Sequence, residues 1–326
     1  MSPPALPPWL VRTLQPTLAA LTDQRLGHAL LLSGPARLGK RAAAEALAAR
    51  LLCREPDAQG WACGRCRACD LRTANSHPDL LRVELETSPN TGKLRSDIVV
   101  DQIRRLGEWF ALTSQMGGVQ VALIDPADAM NASAGNALLK TLEEPQPGRY
   151  LLLTSARPDR LPATIRSRCQ RLSFSLPPHA EALAHLLAAG QSRERSERAL
   201  SLAGGHPGLA LDWLADGSLE LRESVHRDLA ALSERRVGAV EVATAWQADE
   251  RLALRLRFAA ESVLDPARSG LTDGSAANTL WQWFVEANRL RASLDGPIRV
   301  DLALTGLLHR WRITQTTAED RPRSRR

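Results

Sequence analysis

The tightest constraint on this chain is a run of seven residues, Gly34-Pro35-Ala36-Arg37-Leu38-Gly39-Lys40, which fits the spacing G-x-x-x-x-G-K. Such a run cradles a phosphate only if a strand delivers it and a helix begins at its lysine. The glycines let backbone amides turn toward phosphate oxygens, the helix N-terminus adds a positive dipole, and the lysine meets the outer oxygens. Both flanks are present. Ala29–Leu32 reads as a short buried strand ending in Ser33-Gly34-Pro35. Lys40–Leu52 is rich in Ala and Leu, with Ala43, Leu47 and Leu51 four residues apart on one helical face. Gly34, Gly39 and Lys40 are therefore the candidate nucleotide contacts.

The alternation continues. Leu80–Leu85 reads as a strand, and Asp97–Leu112 as a helix with Ser96 or Asp97 able to cap it. Val119–Ile124 is a strand ending in Asp125, and Asn131–Leu142 a helix closed by Glu143-Glu144-Pro145. Tyr150–Leu153 and Leu172–Phe174 complete the strands. Apolar strands alternating with helices predict an α/β domain whose mostly parallel sheet is covered on both faces. Beyond Phe174 the strand signal stops. Helices are expected over Pro177–Gly190 and Arg193–Ala203, then a break at Gly204-Gly205-His206-Pro207-Gly208, then a helix through Leu214. From Ser218 to Trp311 the pattern is helical, interrupted at Pro266, Gly270–Gly274 and Gly296-Pro297, and Gln315–Arg326 is expected to be disordered. The expected division is 1–174, 175–217, 218–314 and a tail 315–326.

The loop departs from the pattern in its chemistry. The position after Lys40 should carry a Ser or Thr hydroxyl for Mg²⁺, but Arg41 is there, and a guanidinium has no lone pair to offer. Asp125 ends its strand where a carboxylate (Walker B) would hold Mg²⁺ through water. The next position, where a glutamate would polarise the attacking water, is Pro126. Hydrolysis at this site is not expected; binding of ATP or phosphate is left open by Lys40.

Four of the five cysteines, Cys53, Cys63, Cys66 and Cys69, are spaced C-x9-C-x2-C-x2-C. The longest apolar runs fall far short of a membrane span, and the Pro-rich Met1–Leu10 is not expected to act as a secretion signal. The chain is thus read as cytoplasmic, where thiols serve metal or packing rather than disulfides. Four closely spaced thiolates suit a structural Zn²⁺ within residues 53–69, with no coordination position left for water. Cys169 lies apart and reads as a small buried side chain. The net charge of +6 and pI near 9.5 are compatible with an anionic partner such as DNA and equally with an ordinary solvated basic surface.

Taken together, a phosphate-loop helix leading into a four-cysteine insertion, then His77-Pro78-Asp79 and a strand, resembles the AAA+ subunits of bacterial DNA polymerase III clamp loaders. So do Asn136-Ala137-Leu138-Leu139-Lys140-Thr141-Leu142-Glu143-Glu144-Pro145 and the segment Leu161–Cys169 with its Ser167-Arg168-Cys169. The resemblance is specific over residues 25–175 and looser through the next helices to about 215. It implies an AAA+ P-loop domain, a small helical lid and an all-helical collar. Arg41, Pro126 and Gly208, the last in the segment where ATP-hydrolysing members carry a sensor arginine, make the chain similar to the delta-prime type. Such a subunit is implied to be ATPase-inactive, to lack the long extension of tau, and to supply Arg168 as an arginine finger to a neighbouring gamma/tau subunit. The implied partners are gamma/tau and delta, with the sliding clamp and primed DNA reached through the complex. The alternative, an active gamma/tau-like ATPase, would need another Mg²⁺ ligand and another base, and the sequence offers neither in a good position. A stand-alone zinc and DNA-binding module would need a base-reading motif, and none is visible.

Overall fold

The structure is a computed structural model that describes residues 6–88, 92–263, 274–294 and 296–319. The chain packs as two compact units, Met1–Leu211 and Asp212–Arg326.

In the first unit five strands, β1 (Ala29–Ser33), β2 (Leu80–Val83), β3 (Gln120–Ile124), β4 (Arg149–Ser155) and β5 (Gln170–Ser173), form one sheet in the order β2-β3-β4-β1-β5. Every pairing is parallel. Because side chains alternate along a strand, each apolar run divides between two layers. Leu31, Ala122, Ile124, Leu151 and Leu153 face one core, which Ile103, Leu106, Phe110, Leu138 and Leu142 complete. Leu30, Leu32, Val121, Leu123 and Leu152 face the other, against Leu10, Leu14, Leu18, Ala43 and Leu47. Covering both faces explains why the strands read as continuous apolar runs, and each buried Leu contributes roughly 1.5–3 kcal/mol.

The covering helices are α1 (Pro8–Thr22), α2 (Lys40–Leu52), α3 (Arg67–Thr73), α4 (Val100–Ala111), α5 (Ala132–Glu143) and α6 (Ala163–Arg168), followed by α7 (His179–Ala188), α8 (Arg193–Leu202) and α9 (Pro207–Asp216). Helix α1 was concealed by prolines. Pro8 opens the helix, where its missing N–H costs nothing, and Leu10, Leu14 and Leu18 bury one face. Helix α4 corrects the expected cap. It starts at Val100, not Asp97, and Gln102 reaches back to the Val99 amide at 3.0 Å. The Asp97 carboxylate accepts instead from Asn131 Nδ2 at 3.1 Å. Asn131 caps α5 by accepting from the Ala134 amide at 2.9 Å.

Among its described residues the second unit is helical, with α10 (Ser218–Ser233), α11 (Ala239–Gln247), α12 (Leu252–Ser262), α13 (Gly274–Ala292) and α14 (Val300–Glu319). Tryptophans tie its core. Trp283 donates to the Leu307 carbonyl at 2.9 Å and Trp311 to that of Leu229 at 3.0 Å, their rings 4.9 Å apart. Trp281 is exposed and stacks on Phe284. The interruptions expected at Pro266 and Gly270 lie outside the described residues. Helix α14 continues to Glu319, into the segment expected to be disordered, because no Gly or Pro follows Gly306 before that point; Asp320–Arg326 lies outside the described residues. Among the described residues no helix is long and apolar enough to cross a membrane.

Candidate functional site

Parallel register gathers the ends of four strands at one edge of the sheet. Val83 pairs with Ile124, Ile124 with Leu153, and Ser33 with Ser155. Glu84, Asp125 and Thr154 therefore lie level with one another at the ends of β2, β3 and β4, and Gly34 follows β1 two residues beyond the level of Thr154. Gly34 has φ +150°, and a Cβ on it would meet the Phe174 carbonyl oxygen at 2.2 Å, so only glycine fits this bend.

The loop is turned in on itself. Lys40 is buried, and its Nζ donates to the carbonyls of Gly34 at 2.8 Å and Pro35 at 2.5 Å. Burial lowers its pKa from the usual lysine range, opposed by the charges of Asp128 and Asp125. Arg41 spans two carboxylates: one guanidinium nitrogen donates to Asp125 Oδ2 at 3.2 Å and the other to Glu84. The second Asp125 oxygen accepts from the Thr154 hydroxyl. The residue that deprives the loop of a metal-binding hydroxyl thus also neutralises the carboxylate that would hold the metal.

The segment after α8 closes over the same loop. A Cβ on Gly208 would lie 2.2 Å from the Arg37 carbonyl oxygen, so a side chain at this position has no room. The His206 ring hydrogen-bonds the backbone of Ala36, and burial lowers its pKa. Asp128 completes the surroundings by accepting from the Ala156 amide at 3.0 Å and Arg157 Nε at 3.3 Å. Burial alone would raise this carboxyl, but bonds from Ser155, Ala156 and Arg157 outweigh it and hold its pKa below the usual value. Glu84, Thr154 and Asp128 were missed in the sequence. A strand-end acid at Glu84 was visible, but only the strand order makes it a neighbour of Asp125.

The four cysteines converge. Their sulfurs lie within 4.8 Å of one another, with Cys53 Sγ 3.6 Å from Cys63 Sγ and 3.9 Å from Cys66 Sγ. Tetrahedral coordination with metal–sulfur bonds of about 2.3 Å requires sulfurs about 3.8 Å apart, so the set fits one ion of the zinc type. The amides of Cys63 and Cys66 point at the sulfurs of Cys53 and Cys63, at 3.3 and 3.4 Å. Burial pushes the Cys69 thiol up to about 12 and raises Cys53. At Cys66 the same burial is outweighed by amides of Cys69 and Arg54, with a pKa of about 6. Cys169 is buried and not part of this cluster, its thiol raised by burial to about 11.

Arg168 ends α6, two residues before β5. Its Nη1 donates to the Thr164 carbonyl at 3.0 Å and its Nη2 pairs with Glu143 at 2.8 Å, with 37% of the side chain exposed. Gln170 is level with Leu30, four residues before Gly34. At about 3.3 Å per residue, Arg168 is more than ~13 Å from its own loop along the strand direction. The structure therefore separates Arg168 from Lys40 and Asp125 rather than uniting them in one site.

A parallel sheet carrying a P-loop turn, whose loop helix runs into a thiol cluster and whose strand-end carboxylates are bridged by Arg41, defines a P-loop-type α/β domain with a divergent nucleotide site. Residues 11–178 match the family described as "DNA polymerase III, delta subunit". The chain is 43% identical over 221 residues to DNA polymerase III subunit delta' of Pseudomonas aeruginosa, covering 67% of this chain and 65% of that protein. Against subunit delta' of Haemophilus influenzae it is 39% identical over 236 residues, covering 71% and 68%. Against DNA polymerase III subunit tau of Bacillus subtilis it is 34% identical over 165 residues, 51% of this chain but 27% of that protein. The matched stretch is about two thirds of the length of these delta' relatives. The chain belongs to the delta-prime family of DNA polymerase III subunits.

One consequence of the Arg41 bridge is testable directly. Arg41→Ser leaves Glu84 and Asp125 unneutralised, the latter only 16% exposed, and is expected to lower the melting temperature by a few degrees, the effect of about 1 kcal/mol. Millimolar Mg²⁺ should restore the loss in the variant and leave the wild type unmoved, read by thermal denaturation. Equal Mg²⁺ response in both proteins would show that Arg41 does not substitute for the cation.

Proposed function

We propose that this chain is an ATPase-inactive stator of a DNA polymerase III clamp loader, and that it completes a neighbouring gamma/tau-type ATP site with Arg168 while helping to load the sliding clamp onto primed DNA. The observation that carries this reading is the division of labour within the first unit. Arg41 neutralises the carboxylates beside its own loop and Pro126 stands where a base is needed, whereas an exposed arginine is held at the opposite end of the strands. An arginine so far from its own loop serves chemistry only on a phosphate brought by another subunit. There its planar fork would neutralise charge developing on the transferred phosphoryl group.

The remaining parts fit that role. Cys53, Cys63, Cys66 and Cys69 would hold a structural Zn²⁺; residues 175–217 act as the lid; and 218–314 form the collar that joins gamma/tau and delta. A replication subunit of this kind works in the cytoplasm. Gly34, Gly39 and Lys40 would contribute fold rather than turnover. The test is ATP hydrolysis by the isolated chain and by the reconstituted loader. The isolated chain is expected to show none, and Lys40→Ala should leave the loader's rate within about twofold of wild type, because that lysine already bonds its own loop carbonyls. A large loss of turnover in Lys40→Ala would mean that this site hydrolyses ATP.

A further inference from the structure

We infer that Glu143 is a positioning residue for the finger: its carboxylate fixes the Arg168 guanidinium in the orientation in which it meets a neighbour's nucleotide. The inference rests on the reading of Arg168 as an arginine finger.

Glu143 is the last residue of α5 and Arg168 the last of α6, so two helix ends meet through one ion pair of 2.8 Å. The helices themselves are fixed. Ile165 of α6 is fully buried in the same core as Leu138 and Leu142 of α5, and a Cβ on Gly135 of α5 would sit 3.7 Å from both Ile165 Cδ1 and Pro162. A carboxylate at the end of α5 is therefore a rigid anchor rather than a wandering surface charge.

The donor inventory decides between anchoring and competition. A guanidinium carries five N–H groups. One N–H is directed at the Thr164 carbonyl, and the second terminal nitrogen forms an ion pair with the Glu143 carboxylate at 2.8 Å, which leaves N–H groups for phosphate oxygens. Glu143 and the nucleotide can therefore be bonded at the same time, on different edges of one planar group. Without the carboxylate, among the described residues only the Thr164 carbonyl holds a long and half-exposed side chain, and a group that must meet a transition state loses rate steeply when displaced.

The experiment is steady-state ATPase of the loader reconstituted from full-length subunits, with this chain as wild type, Glu143→Gln, Glu143→Asp, Arg168→Ala or the Glu143→Gln/Arg168→Ala pair. Glu143→Gln is expected to lower kcat at the site that Arg168 faces by about tenfold with KM for ATP unchanged, since the group acts only in the transition state. Glu143→Asp, which keeps the charge, should recover part of that loss. In the Arg168→Ala background Glu143→Gln should have no further effect. If Glu143→Gln matches wild type, or exceeds it, while Arg168→Ala is defective, the positioning role is overturned and the finger stands. The same holds if the Glu143→Gln loss persists in the Arg168→Ala background. If Arg168→Ala itself leaves the rate unchanged in assembled complexes, the finger falls and the positioning role with it.

Discussion

Arg168→Ala is expected to cut ATP hydrolysis at the neighbouring site by on the order of 10³-fold, the low end of what arginine fingers contribute. Total ATPase of the reconstituted loader should fall by that site's share, and DNA-stimulated clamp loading with it. The protein itself should be unharmed. Arg168 is 37% exposed, and its pair with Glu143, 48% exposed, is worth at most about 1 kcal/mol after solvent screening. Melting temperature, metal content and elution of the assembled complex should therefore match wild type. Arg168→Lys should recover little, because an ammonium keeps the charge but cannot bond Thr164, Glu143 and phosphate through one plane. Equal ATPase rates from equally assembled wild-type and Arg168→Ala complexes would remove the finger from the mechanism.

How much of this was legible in the sequence follows from the range of each interaction. The strands and the loop were legible because their signals are local: apolar runs ending in Ser33-Gly34 and at Asp125 announce strand ends, and Lys40 starts its helix directly after Gly39. The thiol set was legible because three of its members lie within seven residues. Arg41 read only as a missing hydroxyl. That it bridges Glu84 and Asp125 depends on β2, β3 and β1 ending at one edge, a fact of strand order that no local pattern contains. The close approach of Gly208 to Arg37 joins residues 171 positions apart, and its only trace in the sequence is a glycine at that position. Helix α1 is hidden from the sequence for the opposite reason. Its prolines are strong local signals against a helix interior, and they were outweighed by Leu10, Leu14 and Leu18 burying against the sheet. Glu143 reads in the sequence as a helix-ending residue, and its partner at the end of α6 appears only in three dimensions.

Loss of the metal set is the other large effect expected. Cys53 caps the C-terminal end of α2, Cys66 precedes α3 and Cys69 is the third residue of α3, so an ion held by these thiols ties two helices and the intervening loop together. Beyond the turn in which Asp57 accepts from the Gln59 and Trp61 amides, that loop has little apolar burial to hold it. Residues 54–60 are exposed apart from the partly buried Gly60, and between Cys53 and Cys66 the main apolar contribution is a partly buried Trp61. Burial cannot replace the ion there. Structural zinc contributes roughly 10–16 kcal/mol to folding in isolated zinc-finger peptides. Here α2 is already anchored by Ala43, Ala44, Leu47 and Ala48, so most of the unit should survive. A loss of about 2–4 kcal/mol for Cys66→Ser is the expectation. Purified protein should carry close to one zinc per chain by atomic emission, and either chelation or Cys66→Ser should lower the melting temperature and open residues 53–73 to proteolysis. ATP turnover in assembled loader should be unchanged per assembled complex, because the thiols touch neither Arg168 nor the loop. Metal-free protein that melts at the same temperature and resists protease equally would mean that the cysteines pack without an ion.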